Sequence, residues 1–207
     1  MSDDGRTEAD GATSLTGLEH RLSHHTALPR TTLSNLLDAV VDRIGATASW
    51  LWILTIGVIL YSVVSRYVFG QGSVMLEEVA WHLAGAAWLI GLSYTLVHDD
   101  HVRVDVLHER FSLKTQAWVE LLGILLLLLP FMVLAFGEVT PYAYSSYELN
   151  EHSQAPNGLP WRWILKSFVP LSLLLLLIAA LSRLLRSSAL LFGWPRPLPS
   201  TDRDPKD

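Results

Sequence analysis

Four stretches of about twenty residues, almost free of charge, alternate with polar connections along the chain. Residues 46–65 carry no charged side chain, and 79–97 carry only His82 apart from Tyr94. Residues 117–136 hold Glu120 one turn in and Pro130 in their second half, and 163–182 hold Lys166 one turn in, then Pro170. Roughly 20 apolar residues cross a hydrocarbon core of about 30 Å as an α-helix, so the pattern predicts four spans. A proline inside a span gives up one backbone hydrogen bond and is expected to bend the helix there. Ahead of the first span, Leu33, Leu36, Leu37, Val40, Val41 and Ile44 fall on one helical face, with Ser34, Asn35, Asp38, Asp42 and Arg43 on the other. That is the pattern of an amphipathic helix, which either lies in the bilayer interface or lays its apolar stripe on other helices. The expected fold class is all-α: a polytopic membrane protein with four transmembrane helices over residues 33–186, preceded by the amphipathic helix. Residues 1–32 are polar and read as a disordered tail, and 187–207 as a second tail. The first of these has no apolar core of the kind a signal peptide needs, so the first span is expected to act as an uncleaved insertion signal.

Composition agrees with the pattern. Of 207 residues, 50% are hydrophobic and only 17% charged, against about 25% charged in an ordinary soluble domain. Four spans leave no stretch long enough for a soluble catalytic domain. A net charge of −5 gives nucleic acid no electrostatic footing. The absence of cysteine excludes disulfides and thiolate chemistry. Of the fifteen Lys and Arg residues, twelve fall before the first span (through Arg43), in the connection 98–116 or after the fourth span (from Arg183 on), and three (Arg66, Arg162, Lys166) on the other side. The positive-inside rule then predicts cytoplasmic termini, with the connections 66–78 and 137–162 facing outward.

Charge buried mid-membrane marks transport and proton paths, because it costs at least about 2.5–3.5 kcal/mol to place there. The central two turns of every span lack such groups, and His82, Glu120 and Lys166 each sit one turn from a span end. The chain by itself therefore offers no ion path, and it reads as a subunit that packs beside a larger transporter. Local pairing suits these groups: Glu78 with His82 four residues on, Lys166 with Glu77 or Glu78, and Glu120 with Arg103 or Arg110. The second span is rich in small residues, including Ala84 and Ala87, which predicts close helix packing within the bundle or against a partner. A haem- or quinone-linked redox anchor is the alternative reading. It is disfavoured because His82 is the one histidine inside a span and lacks a second at matching depth. No cofactor or metal site is indicated.

Four segments carry a family resemblance: Arg66-Tyr67-Val68-Phe69-Gly70 after the first span, Glu77-Glu78 before the second, His101-Val102-Arg103-Val104-Asp105 after it, and Glu151-x-Ser153 through Leu159-Pro160-x-x-Trp163 before the fourth. In order, spacing and four-span layout the chain resembles the small membrane subunit of TRAP (tripartite ATP-independent periplasmic) transporters over roughly residues 36–186. The resemblance implies an inner-membrane protein that works with a large permease subunit and a periplasmic substrate-binding protein. It implies uptake of an organic acid or related solute driven by an ion gradient, commonly Na⁺, and no enzymatic activity. The motif positions it points to are Arg66, Glu77, Glu78, His101, Arg103, Asp105, Glu151 and Ser153. Arg66 is expected either to anchor in headgroups or to touch the large subunit. Glu77 and Glu78 are expected to tie a loop to helix ends or to meet the binding protein. His101 and Asp105 pair if their segment is helical, whereas Arg103 and Asp105 share a face if it is extended.

Overall fold

The computed structural model describes residues 28–98, 111–196 and 198, and among these the only regular structure is helical. Helix α1 spans Thr32–Ala48, α2 Trp50–Val68 and α3 Val74–His98. The third span is α4 (Leu113–Gly123), one π-helical segment (Ile124–Leu128) and α5 (Leu129–Glu148) in unbroken succession, and the fourth is α6 (Trp163–Phe192). Four of these helical runs are long and apolar enough to cross a membrane.

The runs are longer than the apolar pattern alone suggests. Thr32–Val68 covers 37 residues and Leu113–Glu148 covers 36. At 1.5 Å per residue each reaches about 55 Å, well beyond a core of ~30 Å. Thr31 caps the first of them: its hydroxyl accepts from the Ser34 N–H, and the Ser34 hydroxyl accepts from the Thr31 N–H. Between α1 and α2 only Ser49 intervenes, itself in the right-handed helical region, so the two form one nearly continuous rod.

The sequence leads to α1 lying in the interface or burying its leucine stripe, and its packing departs from the second of these. Ser34, Asp38 and Val41 are its buried residues, while Leu33, Leu36, Val40 and Ile44 are exposed. Polar atoms on α6 account for the reversal. The Ser182 hydroxyl donates to the Ser34 carbonyl oxygen at 3.2 Å, and Arg186 is ion-paired with Asp38. A guanidinium held among helices requires a partner carboxylate, and that requirement outweighs the stripe's preference for a dry neighbour.

Pro130 sits just after the π-helical segment. The Leu129 N–H donates to the Ile124 carbonyl five residues back, one more than in an α-helix. The widened turn gives the Pro130 ring room beside the carbonyl four residues behind it, where it would otherwise clash.

The helices stand in a single row. α2 packs along α3, α3 along α6, and α6 along α4 and α5, while α1 fills the angle between α3 and α6 at one end. The row runs antiparallel at its start: Asp42 meets His98, Trp52 meets Trp88 and Arg66 meets Glu77. The buried apolar residues are mostly alanines, and one shared cluster joins Val41, Val97 and Ala179 from α1, α3 and α6. Small side chains let backbones approach where no hydrophobic driving force acts between helices. Large apolar side chains are exposed on every span, for example Leu60, Trp88, Leu134 and Leu174. Residues 28–31, 193–196 and Leu198 share one end of the row, joined by the Leu198 N–H donating to the Arg30 carbonyl at 2.8 Å. The other end carries the α2–α3 turn and the connection 149–162.

Candidate functional site

Two belts of polar contacts clamp the row, one near each end. At the loop end, residues 149–162 fold back on themselves. The Ser153 N–H donates to the Leu159 carbonyl at 3.0 Å, and the Arg162 N–H to the Glu151 carbonyl at 3.1 Å. The tip is a turn over Ala155-Pro156-Asn157-Gly158, closed by the Gly158 N–H donating to the Ala155 carbonyl at 3.0 Å. Pro156 suits its second position, and Asn157 has φ +59°, the positive value a type II turn needs at its third.

Glu78, in the second turn of α3, holds this folded connection. Its carboxylate accepts from the Ser153 hydroxyl and from the Leu159 N–H, the latter at 2.6 Å. Gly158 packs so tightly here that an added Cβ would lie 2.5 Å from the Ser153 Cβ and 2.9 Å from a Glu78 carboxylate oxygen. Only glycine fits. His82 does not take the Glu78 carboxylate: its Nδ1 lies 2.6 Å from the Glu78 backbone oxygen, so the ring donates there.

Glu151 forms the second half of the belt. It is ion-paired with Lys166 on α6 and accepts from the Ser146 hydroxyl on α5 at 2.7 Å, joining the last turn of one span to the first of the next. The Lys166 ammonium also lies 4.0 Å over the Tyr142 ring. The Lys166 ammonium and the Ser146 hydroxyl hold the Glu151 carboxyl below the ordinary carboxylate range, against an opposing effect of burial. Arg66 pairs with Glu77 across the α2–α3 turn, both of them substantially exposed.

The belt at the other end is more deeply buried. Arg183 on α6 is ion-paired with Glu120 on α4, with side-chain exposures of 4% and 13%. It also donates to the Leu96 carbonyl in the last turn of α3 at 3.3 Å. In a helix's final turn the carbonyls lack intrahelical donors and form the negative end of the dipole, so a cation is well placed there. Arg186 pairs with Asp38, and His98 with Asp42 at 2.9 Å. One α6 face thus ties together α1, α3 and α4.

The expected residues meet this geometry unevenly. Glu78 and Ser153 come together, as do Glu151 and Lys166, and Arg66 and Glu77. Lys166 takes Glu151 in place of Glu77 or Glu78, and Glu120 takes Arg183, a residue reckoned from sequence among the tail charges. Ala87 is buried and Ala84 half-buried. His101, Arg103 and Asp105 lie outside the described residues. Sequence reasoning missed Arg183, Arg186, Asp38, Ser146 and Gly158. One signal for the first two was available: Ser172, Leu175, Ala179, Ser182, Arg183 and Ser187 follow helical spacing along the buried α6 face past the end of the apolar run.

Fold and belts define a four-span helical membrane protein whose ionisable groups secure its own helices and one loop. Its family gives the rest: the chain belongs to the tripartite ATP-independent periplasmic transporters, DctQ component, whose family model matches residues 55–190. That is the small permease component of TRAP transporters, part of a transport system and not an enzyme. α1 precedes the matched region. No curated protein matches the chain.

Proposed function

We propose that the chain is a wall-like scaffold subunit. In this reading it packs against a large permease subunit in the inner membrane and holds it in the bilayer, while a periplasmic binding protein delivers the solute. The observation that carries it is the single row of helices, with polar groups engaged at its two ends and large apolar side chains exposed on every span. A self-sufficient four-helix bundle would enclose a core of large apolar residues. A row leaves them for lipid and for a partner protein. The family resemblance supports, as part of this reading, uptake of an organic acid or related small solute driven by an ion gradient, commonly Na⁺. The distribution of Lys and Arg supports cytoplasmic termini.

Affinity purification of the tagged chain from native membranes in mild detergent, with mass spectrometry of what accompanies it, tests the proposal. Recovery of one large polytopic permease is the expected result. Recovery of the chain alone would sink the scaffold reading. For orientation, a cysteine placed within 149–155 should label from outside intact spheroplasts and one at 111–114 should not; the reverse pattern would invert the topology.

A further inference from the structure

A groove between α2 and α3 at the loop end belongs to neither clamp. It encloses about 350 Å³, with Ile59, Val63, Leu76 and Ala80 among its apolar walls and Arg66 and Glu77 among its polar ones. Tyr67 and Trp81 also line it, 80% and 67% exposed, as aromatic side chains at a membrane–water boundary commonly are. Arg66 lies in the last turn of α2 and Glu77 in the first turn of α3, beside the turn that joins the two spans. Ile59 lies seven residues before Arg66, about 10 Å deeper along the helix, so the apolar walls run down into the acyl region.

The two charged groups face each other across the α2–α3 turn, yet an exposed pair of this kind is held weakly. A guanidinium has five N–H donors and a carboxylate about four acceptor positions, so one mutual contact leaves both with unused capacity. A positive and a negative group side by side above an apolar slot match a ligand with a phosphate, a protonated primary amine and an acyl chain. We infer that this groove binds phosphatidylethanolamine: the phosphate on the Arg66 guanidinium, the ammonium donating to the Glu77 carboxylate, and one acyl chain along Ile59, Val63 and Ala80. Phosphatidylcholine offers a cation that attracts Glu77 but has no N–H to donate, and phosphatidylglycerol offers hydroxyl donors but no cation. Either satisfies Arg66, and neither brings Glu77 a cationic N–H donor. The inference needs only that the chain spans a membrane, so it stands or falls separately from the scaffold reading.

The test is native mass spectrometry of the purified full-length chain, titrated in mild detergent with the three phospholipids carrying identical acyl chains. Phosphatidylethanolamine should be retained about tenfold better than the other two, the worth of one charge-assisted hydrogen bond. Glu77→Gln should reduce it to the level of phosphatidylglycerol, and Arg66→Gln should weaken all three. Ser62→Phe, which crowds the slot and leaves both charges in place, should also weaken all three. Equal retention of the three lipids by the unaltered chain would overturn the inference. So would undiminished phosphatidylethanolamine retention in both Glu77→Gln and Ser62→Phe. A complex with a large partner subunit that excludes the lipid from the chain would assign the groove to protein contact and overturn it as well.

Discussion

Replacing Glu120 with leucine takes from Arg183, packed among helices, the carboxylate it is ion-paired with. Arg183 is only 4% exposed, and a guanidinium stays protonated at any workable pH, so it cannot escape by losing its proton. The Leu96 carbonyl at 3.3 Å stays beside it but offers a partial charge in place of a full one. Removing one partner of a buried ion pair costs about 3–5 kcal/mol, whereas exchanging both for apolar residues of similar size is often neutral. Glu120→Leu should therefore destabilise the chain by about 3 kcal/mol, or more than a hundredfold in the folding equilibrium. Adding Arg183→Leu should recover most of that loss. A residual cost of about 1 kcal/mol remains for the lost donor at the end of α3. Circular dichroism of the chain unfolded by sodium dodecyl sulfate in mixed micelles, run as a double-mutant cycle, measures the coupling directly. If the single variant costs less than about 1 kcal/mol, or the double variant costs as much as the single, the pair is not the clamp its burial indicates.

Glycine substitutions divide by surroundings. Gly158→Ala drives a Cβ against Ser153 and Glu78 and should cost about 1–3 kcal/mol in detergent thermal melts, whereas Gly123→Ala, with open space at its Cβ, should be neutral or slightly stabilising. Glu151 contributes a pH dependence to the loop, beside the Glu78 carboxylate that holds Ser153 and Leu159. Its folded pKa lies below the unfolded one, so its contribution is fully present above the ordinary carboxylate range and is lost as pH falls through the lowered value. A fluorophore on Gln154→Cys should gain mobility across that acid window, and adding Glu151→Gln should raise mobility at neutral pH and shrink the further gain in acid; identical titrations would refute the assignment. Ala87→Leu should lower the melting temperature of the isolated chain because Ala87 is 5% exposed, while Gly91→Leu, whose Cβ position is open, should not. Equal melting temperatures for the two would show that the alanine face is not the internal one.

The four spans were legible because uninterrupted apolar runs state their own burial in lipid. Their ends were less so: Tyr142, Ser145, Ser146 and Glu148 read as a polar connection, yet they continue α5 by more than two turns. Helical periodicity identified a stripe on α1 without saying what lay beside it, and the deciding partner, Arg186, stands 148 positions from Asp38. The same limit governs the clamps. Every carboxylate and cation that takes part was visible, but Glu120 could be matched to Arg183 only once α4 and α6 were known to be neighbours. Gly158 gave no sign of its role, because the constraint on it comes from Ser153 and Glu78 and not from its own backbone.

The two longest helical runs use their extra length against their neighbours. α1 lies in the angle between α3 and α6, where Asp42 meets His98 and Asp38 meets Arg186. The last turn of α5 lies against the start of α6, where the Tyr147 and Trp163 ring centroids are 5.2 Å apart. An overlong span left free relieves mismatch with the bilayer by tilting alone. Here each run is tied to the next, so any tilt has to carry its neighbours with it, and the wall would lean as one panel.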